Sequence, residues 1–97
     1  MTVQGFKATL LDEVPPYGLT NELLAMWHDG KGDWEKAHDI AQEIPTRNGS
    51  WIHAYLHRKE GDRANAQYWY NRAGKNFPRE DLDDEWGNLV ENFLIDL

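Results

Sequence analysis

Apolar side chains return every three or four residues along most of this chain, and no stretch alternates apolar with polar in the two-residue rhythm of a strand. The clearest run is the last. Trp86, Leu89, Val90, Phe93, Leu94 and Leu97 fall at i, i+3, i+4, i+7, i+8 and i+11, one face of a helix, and Asp81, Asp83, Asp84 and Glu85 sit at its start, where the helix dipole favours negative charge. Upstream, Thr20 is a candidate N-cap for a helix bearing Leu23, Leu24, Met26, Trp27 and His28, ended by Gly30 or Gly32. Asp33 caps the next, with Trp34, Ala37, Ile40, Ala41 and Ile44 on one side and Pro45 closing it. Asn48-Gly49-Ser50 reads as a break with Asn48 or Ser50 as cap. A third helix follows with Trp51, Ile52, Ala54, Tyr55 and Leu56, stopping at Gly61. Asp62 caps a fourth with Ala66, Trp69, Tyr70 and Ala73, closed by Gly74 and Pro78. Pro15-Pro16-Tyr17-Gly18 stops any helix before residue 19. Residues 1–18 are therefore expected as an irregular arm, with Phe6, Leu10, Leu11 and Val14 laid over the helices.

The two middle hairpins are copies. Ala25, His28, Gly32, Asp33, Ala37 and Ala41 align without a gap on Ala54, His57, Gly61, Asp62, Ala66 and Tyr70, an offset of 29 residues throughout. A period in this range marks stacked supersecondary units. Glycine at the turn permits the left-handed backbone that ends one helix, aspartate caps the next, and alanines let the paired helices approach closely. The expected architecture is all-α and single-domain over residues 1–97: the arm (1–18), a first hairpin (19–45), a second (48–78) and a capping helix (81–97).

Gly61-Asp62 followed by Ala66, Tyr70, Ala73 and Pro78 resembles the tetratricopeptide repeat, and Ala66-x-x-Trp69-Tyr70-x-x-Ala73 resembles the related Sel-like repeats. The resemblance covers about residues 19–78 and implies a helical module that binds a protein or peptide. The chain departs from the pattern at His53 and His57, where the repeat places Leu and Tyr, and at Ala41, where the first copy lacks the aromatic. The Trp-His-Asp, Gly-Asp-Trp and His-Ala-Tyr-Leu-His elements also resemble a family of small bacterial proteins to which no activity attaches.

Composition narrows the partners. A chain of 97 residues with five Trp, four Tyr and three Phe can stabilise a thin two-layer core through a few large side chains. Without cysteine, neither disulfides nor thiolate metal sites arise. No secretory signal and no membrane-length apolar run is legible, so a cytoplasmic location and no membrane partner are expected. The net charge of −7 argues against nucleic acid. That charge is unevenly spread. Residues 1–45 and 76–97 are acidic, whereas residues 46–75 carry six Lys or Arg against Glu60 and Asp62. This reads as charge complementarity within the molecule, with a patch for an anionic partner as the alternative.

Two constellations are candidates for function. Trp51, Tyr55, Arg58 and Lys59, with Met26 and Asp29 at matching positions of the first copy, occupy the face that the repeat resemblance assigns to a protein or peptide partner. Aromatic and Arg residues are also enriched at interface hot spots, and ordinary packing of the third helix against the N-terminal arm or the terminal helix is the other reading of the same residues. The alternative is a histidine cluster between the repeats. His53 and His57 share a helical face at i, i+4, and His28 occupies the repeat position of His57, so the three read first as hydrogen-bonded, partly buried packing residues and, as the alternative, as a ligand or metal site on which they converge. The His-Ala-Tyr-Leu-His spacing lacks the glutamate of zinc proteases. No phosphate-cradling glycine loop or nucleophile elbow is present, and Ser50 reads as a cap. The expectation is thus a non-catalytic interaction module without a cofactor, possible self-association included.

Overall fold

The computed structural model describes residues 1–95, which form six α-helices and, among the described residues, no strand. They are α1 (Val3–Ala8, continued by a tight turn at Thr9–Leu11), α2 (Asn21–Gly30), α3 (Trp34–Gln42), α4 (Arg47–Lys59), α5 (Arg63–Ala73) and α6 (Leu82–Leu94). Leu97, the last position of the C-terminal apolar stripe, lies outside the described residues.

The copied turns close in the same way. Gly32 and Gly61 adopt φ of +87° and +89°. In each, the aspartate N–H that follows donates back to a histidine carbonyl, Asp33 to His28 and Asp62 to His57, both at 2.9 Å. This back-bonding across a left-handed glycine satisfies carbonyls the helix end would otherwise leave open. The same aspartates then turn their side chains onto the next helix, accepting from Lys36 N and Asn65 N. The result is two antiparallel hairpins, α2–α3 and α4–α5, joined where α3 packs on α4. Ala25, Ala37, Ala41, Ala54, Ala66 and Ala73 are all buried, as close helix approach requires.

Two local expectations are corrected. The arm is not irregular throughout: Thr2 accepts from Gly5 N at 3.0 Å and caps α1, whose Phe6 is fully buried beside Trp86. Six residues are too few for a periodic pattern and too few to be helical alone, so this helix depends on Phe6 being anchored. Leu10 packs against Gly30, while Leu11 and Val14 stay exposed. Lys31 Nζ ties the arm down through Leu10 O and Asp12 O. The Asn48-Gly49-Ser50 break is likewise absent. Thr46 caps α4, which takes these residues into its first turn. Gly49 serves close approach: a Cβ there would stand 2.0 Å from Ile44 O.

α6 lies across α2 and α4, and α1 lies on α6. Its apolar stripe supplies Trp86, Leu89, Val90 and Phe93 to the core. A single carboxylate on α6 completes the seam. Glu85 is 2% exposed and accepts from Arg58 Nη1 (2.8 Å), Trp51 Nε1 (3.3 Å) and Tyr70 OH (2.7 Å), which belong to α4 and α5. Trp86 Nε1 donates to Met26 O on α2 at 3.2 Å. A second buried carboxylate, Asp29 on α2, accepts from Tyr55 OH and Lys59 Nζ on α4, both at 2.9 Å.

Replacing Glu85 with Ala strands a half-buried guanidinium together with a buried indole and phenol. Breaking a buried ion pair of this kind costs about 3–5 kcal/mol, so urea denaturation of Glu85→Ala is expected to show a correspondingly lower midpoint. Gly49→Ala is expected to lose about 1–3 kcal/mol by overpacking against Ile44, read from the same titration.

Candidate metal centre

Three imidazoles meet on the side of α4 opposite α6. His53 and His57 stand one turn apart on α4, with ring centroids 4.9 Å apart and planes within 20°. His38 reaches them from α3, edge-on, at 4.6 Å from His53 and 5.3 Å from His57. One nitrogen from each ring lies within 4.8 Å of the others. His53 and His57 are buried and His38 is half-buried. Two tryptophans bracket the group. Trp34 stacks on His38 (4.9 Å, 12°) and is fixed by its indole N–H donating to Leu56 O at 2.8 Å. Trp69, from α5, stacks on His53 (3.9 Å, 13°).

The outer contacts select a tautomer for His57. Its Nδ1 lies 2.6 Å from Glu60 Oε2, and its Nε2 lies 3.4 Å from the Asn65 amide nitrogen. A carboxylate only accepts, so the proton belongs on Nδ1 and the lone pair on Nε2. A carboxylate on the far nitrogen is the usual partner of a metal-bound imidazole, because it orients the ring and raises its basicity. A second grouping, His57 with Glu60 and Asp62, shares this imidazole. Asp62, however, is already engaged in capping α5.

Electrostatics keep His53 and His38 neutral. Burial, reinforced by His38 and His57, pushes His53 down to about 4. Burial and then His57 lower His38 as well, against a smaller opposing pull from Asp39 and Glu60. Imidazoles that resist protonation keep their lone pairs available to a cation.

Of the expected cluster, His53 and His57 come together and His28 does not. His28 lies half-buried against Trp27 on α2, and burial followed by Lys36 lowers its basicity against a weaker pull from Asp33. The reason lies in the order of the hairpins. His57 faces α3 of the preceding unit, whereas α2 begins the first unit and has no such helix before it. Asn65, beside His57, is also replaced by Lys36 at the copied position. The third imidazole is instead His38. Its signal was the Trp34-x-x-x-His38 spacing, which puts it one turn along from a core-facing tryptophan on the helix that meets α4.

The other candidate face is closed over most of its residues, Lys59 alone being exposed. Met26, Asp29, Trp51 and Tyr55 do share the α2–α4 surface with Arg58 and Lys59, but α6 covers it. Met26 is fully buried, Asp29 and Tyr55 are each 2% exposed and Trp51 9%. Arg58 and Lys59 are held in ion pairs with Glu85 and Asp29. The cause is the apolar stripe of α6, which needs a partner of its own: Trp51 meets Phe93 at 5.9 Å.

No protein-family model matches this chain, nor does any curated protein or solved structure. The functional reading therefore rests on the geometry of the chain itself.

The metal-free protein carries a pH signature. A histidine whose folded pKa lies below its unfolded value stabilises the fold fully above pH 6.5, and that contribution is lost as pH falls from 6.5 through about 4. For His53 the loss is on the order of 2–3 kcal/mol. Thermal melts of His53→Gln across this window are expected to decline less steeply than those of the wild type. Parallel curves would show that His53 does not carry the effect.

Proposed function

We propose that this chain is a small helical-repeat protein that binds a transition-metal ion through His38, His53 and His57. The observation that carries the reading is the convergence of three imidazoles from two helices, flanked by stacked tryptophans. The Gly-Asp turns, the 29-residue offset and the packing of α3 on α4 support a tetratricopeptide-like arrangement as the scaffold. In such a stack the seam between successive hairpins is where side chains from two units meet.

Imidazole nitrogen suits Zn²⁺, Cu²⁺ and Ni²⁺, and Zn²⁺ takes His nitrogen at about 2.0–2.1 Å. The three nitrogens, within 4.8 Å of one another, would have to close around an ion at that distance. Three protein ligands would leave a fourth position open to water or another small ligand. A peptide-binding role for the α2–α4 face would instead require α6 to leave it and expose Glu85 without its donors. That cost makes the interaction reading the weaker one.

Untagged protein stripped with chelator is expected to bind one Zn²⁺ per chain in calorimetry and to shift its tryptophan emission as the metal enters. Single changes His38→Ala, His53→Ala or His57→Ala should each abolish or severely weaken binding. Glu60→Gln should weaken it roughly 10–100-fold, and His28→Ala should leave it unchanged. Equal affinity in wild type and His38→Ala would refute the site.

A further inference from the structure

A second chemistry sits on the other flank of the α4–α5 turn. A cleft of about 520 Å³ opens between that turn and the segment that leads into α6, lined by Arg58, Gly61, Arg63, Phe77, Pro78 and Arg79. Three of its six lining residues are arginines and none is acidic, in a chain whose net charge is −7. We propose that this cleft is a binding site for a small phosphate ester, held by the guanidinium groups of Arg63 and Arg79 with Arg58 as a fixed wall.

The three arginines are not equivalent. Arg58 is balanced by Glu85 and further anchored by donating from Nη2 to Glu80 O. Its charge is spent, but its position is set. Arg63 and Arg79 are exposed and form no ion pair among the described residues. Arg63 lies 4.0 Å over the Phe77 ring, a stacked placement that steadies the guanidinium and leaves its N–H edge free. Two uncompensated guanidiniums match the charge of a phosphate monoester and its preference for forked donors. The volume lies in the range of small-molecule sites. Next to it, a cavity of about 600 Å³ shares Phe77, Pro78 and Arg79 and adds Lys75, Asn76 and Asn88 together with Glu80 and Glu85, so the phosphate belongs in the arginine cleft and the uncharged remainder of the ester in this one.

The surroundings argue for a compact ligand over a polymer. Asp81 and Asp83 line the adjoining depression beside Arg58, and Glu80 borders the cleft through its carbonyl contact with Arg58. A strand of nucleic acid would carry its neighbouring phosphates across these carboxylates, whereas a single phosphate group would not.

Calorimetry with inorganic phosphate, glycerol 3-phosphate and a single-stranded oligonucleotide tests this, with chelator present so that no metal-held phosphate contributes. Phosphate and glycerol 3-phosphate are expected to bind, more weakly as salt rises. The double change Arg63→Gln/Arg79→Gln is expected to lower their affinity by roughly tenfold or more. Both residues are exposed, so circular dichroism should show unchanged helix content. The pair Arg63→Lys/Arg79→Lys, which keeps charge but removes the fork, should fall between. His53→Ala should bind phosphate as the wild type does, which separates this site from the metal centre. The proposal is overturned by no saturation up to about 10 mM phosphate or ester, by undiminished binding in the Gln variant, or by binding of the oligonucleotide alone.

Discussion

The structure turns on a carboxylate placed where carboxylates are rarely tolerated. Glu85 is all but sealed inside a core of aromatic and aliphatic side chains, and an ion removed from water costs several kcal/mol unless its surroundings replace the lost solvation. Here a guanidinium, an indole N–H and a phenol replace it, drawn from two helices of the second hairpin. Burial and Glu85 both raise Tyr70, so its hydroxyl remains a donor. Arg58 is raised as well: burial opposes its charge, and Glu85 more than offsets it. The arrangement is directional in a way apolar packing is not, because the three donors converge in one register of α6. Asp29 with Tyr55 and Lys59 repeats the device between α2 and α4.

With α6 pinned, the two sides of α4 take different roles. The side toward α2 becomes interior, and residues of the type that recognise partners are consumed in holding the protein's own last helix. The side toward α3 and α5 keeps polar, lone-pair-bearing groups at the seam. His53 and His57 are therefore buried close to the surface, and burial holds His53 neutral. The tryptophans serve both ends. Trp34 and Trp69 are half-buried plates that complete the packing and hold the imidazoles in orientation.

Much of the scaffold is legible in the sequence, because it rests on local chemistry. Thr20, Asp33 and Asp62 cap the helices they were expected to cap, and Gly32, Gly61 and Gly74 take up positive φ at helix ends. Gly49 shows the limit. In sequence it resembles a breaker, and in the fold it is the point where the backbone around Ile44 comes too close for a side chain. The six-residue α1 was illegible for a related reason, since a helix of that length owes its existence to Phe6 beneath Trp86 and carries no periodic signal.

The sequence by itself thus determined the helical class, the copied turns, the amphipathic last helix and the pairing of His53 with His57, all of which depend on neighbours within a few residues. Only the tertiary structure decided which face α6 would cover, that His38 and not His28 would complete the cluster, and that three arginines would line one cleft. These outcomes depend mainly on contacts between residues distant in the chain, such as His38 with His57 and Trp86 with Met26. A repeat copies residue types along the chain but gives its first unit no predecessor. The same histidine therefore faces a helix in the second hairpin and none in the first.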